Sequence, residues 1–245
     1  MPRKLLNLAN DNRGKGSGLR AEATSDTTLI YVYDVIDSWW GISASDFARE
    51  MAAVTTPNIQ LRINSPGGDV FEARAMMSAI AESKARVTAR IDGLCASAAT
   101  ALTLPCASVE IVEGGFYMIH QAWTFAMGNA DDFRQQAGVL DKIDDVLVAG
   151  YADKTGKTRE EVKVLMRAET WLTAEEAVAD KFCDGVVTMP AGTSAGDSQA
   201  QARAFNLGVF ANAPKALTEP APEIIDEAVR QRMLARLGLY ERTDG

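Results

Sequence analysis

One histidine, His120, is all that the 245 residues contain. Any imidazole chemistry confined to a single chain must therefore use that position. Cysteine is nearly as scarce, at Cys95, Cys106 and Cys183. Their odd number and the lack of metal-ligand spacing leave reduced thiols in the core as the reading. Nowhere is there a run of about 18 apolar residues, so no membrane-spanning helix is expected. The opening "MPRKLLNLANDNRGKGSGLR" has too short an apolar stretch for a secretory leader, and a cytoplasmic location is expected. Positive charge is in deficit, with 25 basic against 33 acidic residues and a net charge of −8. That balance argues against nucleic acid as a partner. Arg3, Lys4, Arg13, Lys15 and Arg20 form a local exception that reads as a disordered basic arm.

What is present is strand–helix alternation. "TLIYVYDVI" (28–36) is β-branched and aromatic, as a strand requires. "SASDFAREMAAV" places Phe47, Met51 and Val54 on one helical face. "NIQLRIN" (58–64) predicts a second strand, broken by "SPGG". The segment "DVFEARAMMSAIAES" then predicts a helix with Ala73, Met76, Met77 and Ile80 inward. "ARVTARIDG" (85–93) is a third strand, and "LCASAATALTLP" is expected to run into a helix. Two further strands are "SVEIVEG" and "FYMIHQAW". A long helix comes next, with Phe133, Ala137, Leu140, Ile143, Leu147 and Tyr151 at spacings of three and four. "TREE" and "TAEE" read as capping boxes opening short helices. The pattern predicts an α/β domain with crossover connections over 27–189. It is preceded by a flexible arm, 1–26. Residues 190–221 are rich in Ala, Gly, Ser, Gln and Pro and read as a flexible linker. Residues 222–245 read as a helical tail.

Three features fall at the ends of expected strands. Pro66-Gly67-Gly68 ends one strand, and glycine there lets a ligand approach main-chain N–H groups. Ser97 stands where the next strand meets a helix. From that position a serine can act as a nucleophile, with the Ala98 N–H directed at a developing oxyanion. His120 closes a third strand. Each has an ordinary explanation: a tight turn, a helix N-cap and a structural histidine, and caps far outnumber nucleophiles. Their joint arrival at strand ends, which converge on one site in sheets of this kind, favours a site over coincidence.

In order and spacing, "INSPGGDVFEA", "DGLCASAAT", "FYMIHQAW" and "ETWLTAEEAVADKFCDGVV" resemble the proteolytic subunit of the Clp protease (ClpP) over about residues 28–189. "DSWWGISASDF" and "GNADDFRQQAGVLDKIDDVLVAGYADKTGK" are most similar to one branch, the ClpP-related head-maturation proteases of tailed phages. The resemblance implies a ClpP/crotonase-like α/β fold of repeated β-β-α units with a protruding helical handle. It also implies serine endopeptidase activity and a homo-oligomeric ring. By motif, Ser97 is the expected nucleophile and His120 the general base. Gly68 and Ala98 supply the oxyanion-hole N–H groups, and Gly67 and Gln121 contact substrate. The third member of the family's site is an aspartate, and Glu169 in "AETWLTA" occupies its place, one methylene longer. No cofactor or metal is implied. The expected substrates are polypeptides, capsid or scaffold proteins among them. The arm does not match the loops with which the bacterial subunit meets its ATPase, which puts an unfoldase partner in doubt.

The rivals are a crotonase-type acyl-CoA enzyme and a signal-peptide-peptidase-like enzyme with a lysine base. His120 in its M-I-H-Q setting speaks against both. Cys95 stands two residues early for a nucleophile. A capsid-interaction protein that keeps the fold without the activity is the non-enzymatic alternative.

Overall fold

Alternation along the central strands decides which face of the sheet is apolar. The computed structural model describes residues 8, 11–12, 15–16, 18–124, 126–188 and 205–218. Strand β1 (Gly18–Ala23) pairs antiparallel with β2 (Thr27–Tyr33). Helix α1 (Ala44–Ala53) leads to β3 (Asn58–Ser65), and α2 (Val70–Ala81) leads to β4 (Arg86–Ala96). β2, β3 and β4 run parallel, in a register that lines up Val32, Ile63 and Ile91 across the sheet. All three are fully buried. Phe47 and Met51 of α1, and Ala73, Met76 and Ile80 of α2, belong to the same core. Side chains alternate across a strand, so the residues between these face the other way.

That opposite face carries a buried ion pair. Asp92, 4% exposed, accepts two hydrogen bonds from Arg62, each 2.6 Å, and a third of 2.6 Å from the Tyr33 hydroxyl. Arg90 Nε lies 3.2 Å from the same carboxylate. Burial, followed by the Asp92 charge, drives the Tyr33 phenol well above its ordinary range. Arg20 stacks over Tyr31 at 3.8 Å, which ties β1 to this polar layer.

β4 serves two neighbours. Its first part, Ala89–Ile91, pairs with β5 (Val109–Val112), and its end, Leu94–Ala96, pairs with β6 (Phe116–Ile119). A 3-10 helix, Ser97–Thr103, lies between. β6 then pairs antiparallel with β7 (Thr170–Thr173), and β5 pairs with β8 (Gly185–Val187). This is the mixed α/β fold expected.

Helix α3 (Ala130–Thr155) is 26 residues long, about 39 Å at the α-helical rise. A capping box of Asn129 and Asp132 starts it, and Gly156 in the left-handed conformation ends it. Leu147, Val148, Tyr151 and Thr155 are buried at its root, whereas Phe133, Val139 and Val146 are exposed further out. Lys154 pairs with Asp184 at 2.8 Å, and Asp184 accepts the Val109 N–H, so the root is fixed to the sheet. The helix is thus the protruding handle. Both capping boxes expected from the sequence are present, Thr158 with Glu161 at α4 (Arg159–Arg167) and Thr173 with Glu176 at α5 (Ala174–Ala179).

Four expectations need correction. The third strand runs on to Ala96 rather than ending at Gly93, and the expected helix follows it as a 3-10 helix. Residues 18–23, expected within a flexible arm, form β1 because β2 offers an open edge. The strand β7, after Glu169, is hidden in the sequence by the capping signal that comes next. The fourth concerns residues 205–218, within the expected flexible linker, which form a strap across the sheet. Phe205, Leu207, Val209, Phe210 and Leu217 are buried with Leu94, Ala96, Phe116, Met118 and Leu8 in a second core. A residue of the arm clasps it, since Asn12 donates to the Asn206 carbonyl at 3.1 Å and accepts the Asn206 N–H. The tail from 222 onward lies outside the described residues.

Replacing Asp92 with alanine would strand the Arg62 guanidinium without its counter-charge. A loss of about 3–5 kcal/mol is expected from denaturant unfolding. A loss below about 1 kcal/mol would mean that the network behaves as a surface pair.

Candidate active site

Parallel pairing of β3, β4 and β6 sets the positions of the chemical groups. The three strands end on the same side, so Gly67-Gly68, Ser97 and His120 come directly after neighbouring strand ends. Ser97 adopts φ 55°, a left-handed conformation that a side chain rarely takes. Its hydroxyl does not cap the helix, for Ala96 holds the cap position and no side-chain cap bond is made there. Instead Ser97 Oγ lies 2.6 Å from His120 Nε2. The N-cap explanation of this serine therefore fails.

The geometry gives a reason for the glycine at position 67. A Cβ on Gly67 would stand 2.6 Å from the Ala96 carbonyl, 2.8 Å from Ser97 Cβ and 2.9 Å from the Ala98 nitrogen. Gly67 has φ 89° and Gly68 φ 148°, both on the side of the map that suits glycine. Gly68 bridges to Ile36, and the Ile36 N–H bonds the Gly67 carbonyl at 2.9 Å. The glycine turn is thus pressed against the backbone of Ala96 and Ala98 and against Ser97 Cβ. An apolar cleft opens beside Ser97 and His120, lined by Val70, Phe71, Leu140, Ile143 and Leu147.

Behind the serine runs a line of hydroxyls. Thr100 Oγ1 donates to the Ser97 carbonyl at 2.5 Å and lies 2.5 Å from the Tyr151 hydroxyl. The single Thr100 proton is committed to the carbonyl, so Tyr151 is the donor in the second bond. Burial pushes the Tyr151 phenol well above its usual range and keeps that proton in place. The root of the handle is in this way hydrogen-bonded to the strained backbone of Ser97. Sequence reasoning misses Thr100 and Tyr151, which look like ordinary core residues.

Cys95 is fully buried, and burial raises its thiol well above the ordinary value. It is a packed thiol rather than a nucleophile. Gln121 turns away from the Ser97 cleft. Its amide donates to Asp144 at 3.2 Å, in a separate cleft lined by Asp141, Asp145, Lys163 and Arg167. The same Asp144 accepts the Ala122 N–H at 2.7 Å. In this structure Gln121 and Ala122 together tie the chain after His120 to α3.

Glu169 sits at the turn into β7 with φ 50°. Its carboxylate accepts the Asn212 N–H at 2.6 Å, the Ala211 N–H at 3.1 Å and, at 3.4 Å, the Trp171 indole N–H. Phe210, just before these donors, meets the His120 ring edge to face at 5.6 Å. It meets Trp171 in the same way at 5.6 Å. The strap thus touches both the histidine and the glutamate, a proximity that residue spacing gives no means of finding.

The Clp protease family model matches residues 43–190. The ATP-dependent Clp protease proteolytic subunit 1 of Protochlamydia amoebophila is 32% identical over 174 residues, covering 67% of this chain and 82% of that protein. The proteolytic subunit of Leuconostoc citreum is 31% identical over 137 residues, 54% of this chain and 68% of that one. A solved ClpP1 mutant of Listeria monocytogenes superposes with a TM-score of 0.58 at 21% identity, covering 68% of this chain and 93% of the other. At that identity the superposition speaks for the fold alone. The family match spans Gly67, Ser97, His120 and Glu169 and stops before the strap, and on it the chain belongs to the Clp protease family, as a ClpP-like serine peptidase.

Proposed function

We propose that Ser97 is the nucleophile and His120 the general base of an endopeptidase acting on polypeptides. The observation that carries this reading is the 2.6 Å contact between Ser97 Oγ and His120 Nε2 beside an apolar cleft. Neutral His120 takes the Ser97 proton as Oγ attacks the peptide carbonyl. The N–H groups of Gly68 and Ala98 receive the oxyanion. His120 then protonates the leaving amine, and water attacks the acyl-enzyme with His120 again as base. Glu169 is the third member, its negative charge favouring the imidazolium that forms at each step.

The assembled form we infer is a homo-oligomeric ring that encloses the Ser97 sites. The exposed Phe133, Val139 and Val146 on the handle support it, because a lone domain has no use for apolar groups there. For the natural substrate we propose capsid or scaffold proteins during phage head maturation, on the likeness of residues 37–47 and 128–157 to that branch. A second reading, a subunit that receives chains from an ATPase, is favoured by the name ATP-dependent Clp protease that its relatives carry. Co-expression with capsid and scaffold genes, followed by mass spectrometry, separates the two. Defined Ser97-dependent cuts in those proteins favour head maturation, and cleavage only after addition of an unfoldase favours the other.

Ser97→Ala and His120→Ala should each lower turnover by roughly 10³-fold or more while leaving the unfolding midpoint nearly unchanged. A fluorophosphonate probe should label the wild type at Ser97, and near-normal cleavage by Ser97→Ala would remove the proposed nucleophile. Glu169→Ala should lose more activity than Glu169→Gln, and full activity in both would exclude this carboxylate.

Gly67→Ala should abolish activity and destabilise the domain, because the added methyl meets backbone on Ala96 and Ala98. Wild-type turnover in that variant would show that the turn can open without cost to the site.

Light scattering at micromolar concentration should give a multiple of the monomer mass. Full activity at the monomer mass would exclude the ring.

A further inference from the structure

The strap 205–218 lies beyond the last residue of the family match, at 190, yet it contacts two of the three residues assigned to catalysis. We infer that it is a working part of the active site, with Phe210 a positioning residue for His120 and the N–H groups of Ala211 and Asn212 the clamp that aims Glu169. The inference rests on the proposed Ser97–His120–Glu169 reading and assigns the strap a role within it.

The chemistry stems from the extra methylene of Glu169. A longer side chain has one more rotatable bond, so its carboxylate must be held if it is to work at one place. Two backbone N–H groups from consecutive residues provide a fixed two-point hold at 2.6 and 3.1 Å. Bonds of this kind, with one partner charged, are about twice as strong as neutral ones. The Asn212 side chain adds a third tie, donating to the Ala168 carbonyl at 2.9 Å, directly before Glu169. This tie braces the turn in which Glu169 holds its left-handed φ.

Phe210 completes the arrangement. It is 6% exposed and wedged between His120 and Trp171, edge to face with both. An aromatic contact of this type fixes ring orientation as well as adding packing. The strap is itself well anchored. Phe205, Leu207, Val209 and Leu217 are buried around it, and Asn206 is bonded to Asn12 and, at 3.1 Å, to Asp11. A firmly seated segment that presents a ring to the base and two donors to the acid has the features of a positioning element.

The test compares the full-length wild type with Phe210→Ala, Phe210→Tyr and Asn212→Pro. The readouts are kcat and KM on a fluorogenic peptide and the rate of fluorophosphonate labelling at Ser97. Phe210→Ala should lower kcat and the labelling rate by about tenfold to a hundredfold, with KM held within about twofold. Phe210→Tyr keeps the ring and should restore most of the rate. Asn212→Pro deletes the N–H that reaches Glu169 at an exposed position, and should lower kcat several-fold in a folded protein. It decides the matter if Phe210→Ala fails to fold. Unchanged kcat in Asn212→Pro together with unchanged labelling in a folded Phe210→Ala overturns the inference, as does a fall in melting temperature without loss of rate. A wild type that takes up no label at Ser97 overturns the catalytic reading itself, so the two failures are distinct.

Discussion

The 2.6 Å contact between serine and histidine depends on one strand keeping two partners. β4 is eleven residues long, pairing with β5 early and with β6 late. Had it paired with one neighbour throughout, β6 would not start level with Leu94, and His120 would not emerge beside Ser97. The pairing of Ala96 with Met118 leaves the serine one residue past the strand pair and the histidine two. Everything else near the site serves to hold that register. Ile63 and Ile91 fix β3 to β4 on the apolar face, and Asp92 with Arg62 fixes the same strands on the polar face. A slip of either strand by one residue would exchange its two faces and turn its arginine, Arg62 or Arg90, into the apolar core.

The contact also explains the composition of the segment from Gly93 to Leu104. The Gly67 turn lies so close to the Ala96 carbonyl, Ser97 Cβ and the Ala98 nitrogen that no side chain fits at position 67, and Ala96, Ala98, Ala99 and Ala101 are themselves buried. Thr100, one of the hydroxyl-bearing residues in this segment, spends its proton on the Ser97 carbonyl. Tyr151, at the root of the handle, completes that bond. The helix that bears the exposed apolar residues is therefore joined through two hydroxyls to the backbone of Ser97.

Much of this is legible in the sequence, because short-range signals and the physics of the site agree. The strands β2, β3 and β4 announce themselves by alternation and β-branching, and the capping boxes at Thr158 and Thr173 by their spacing. The Gly-Gly turn, Ser97 and His120 can be placed together because strand ends of one sheet converge. Three things are not legible, each for a definite reason. β1 is mostly exposed and carries no β-branched or aromatic residue, and is a strand only because β2 has an edge to offer. The second core draws on Leu8 and on Phe205 to Leu217, about 200 residues apart, and no local window joins them. The apolar residues of "FNLGVF" are masked by their small and polar surroundings, so the composition suggests a linker where the chain packs. The direction of the Gln121 side chain is not legible because the resemblance fixes the order of residues, while that direction is set by Asp144 on α3.

Three residues other than glycine have positive φ: Ser97, Glu169 and Lys181, among the residues described. Two of them, Ser97 and Glu169, are among the residues proposed for catalysis. Such a conformation costs roughly 1–2 kcal/mol for each residue and persists only where its surroundings insist on it. For Ser97 the insistence comes from the Thr100 bond to its carbonyl, from His120 on its hydroxyl and from the glycine turn against its Cβ. For Glu169 it comes from the strap's grip on the carboxylate and on the Ala168 carbonyl. The two strained points are thus restrained by different parts of the chain, one by the handle and the other by the C-terminal segment. A change in either support would relax one strained residue without relaxing the other. Phe210 of the strap packs edge to face on the His120 ring while Ser97 holds its Nε2, so the histidine is contacted both by the segment that carries the motifs and by the segment beyond it.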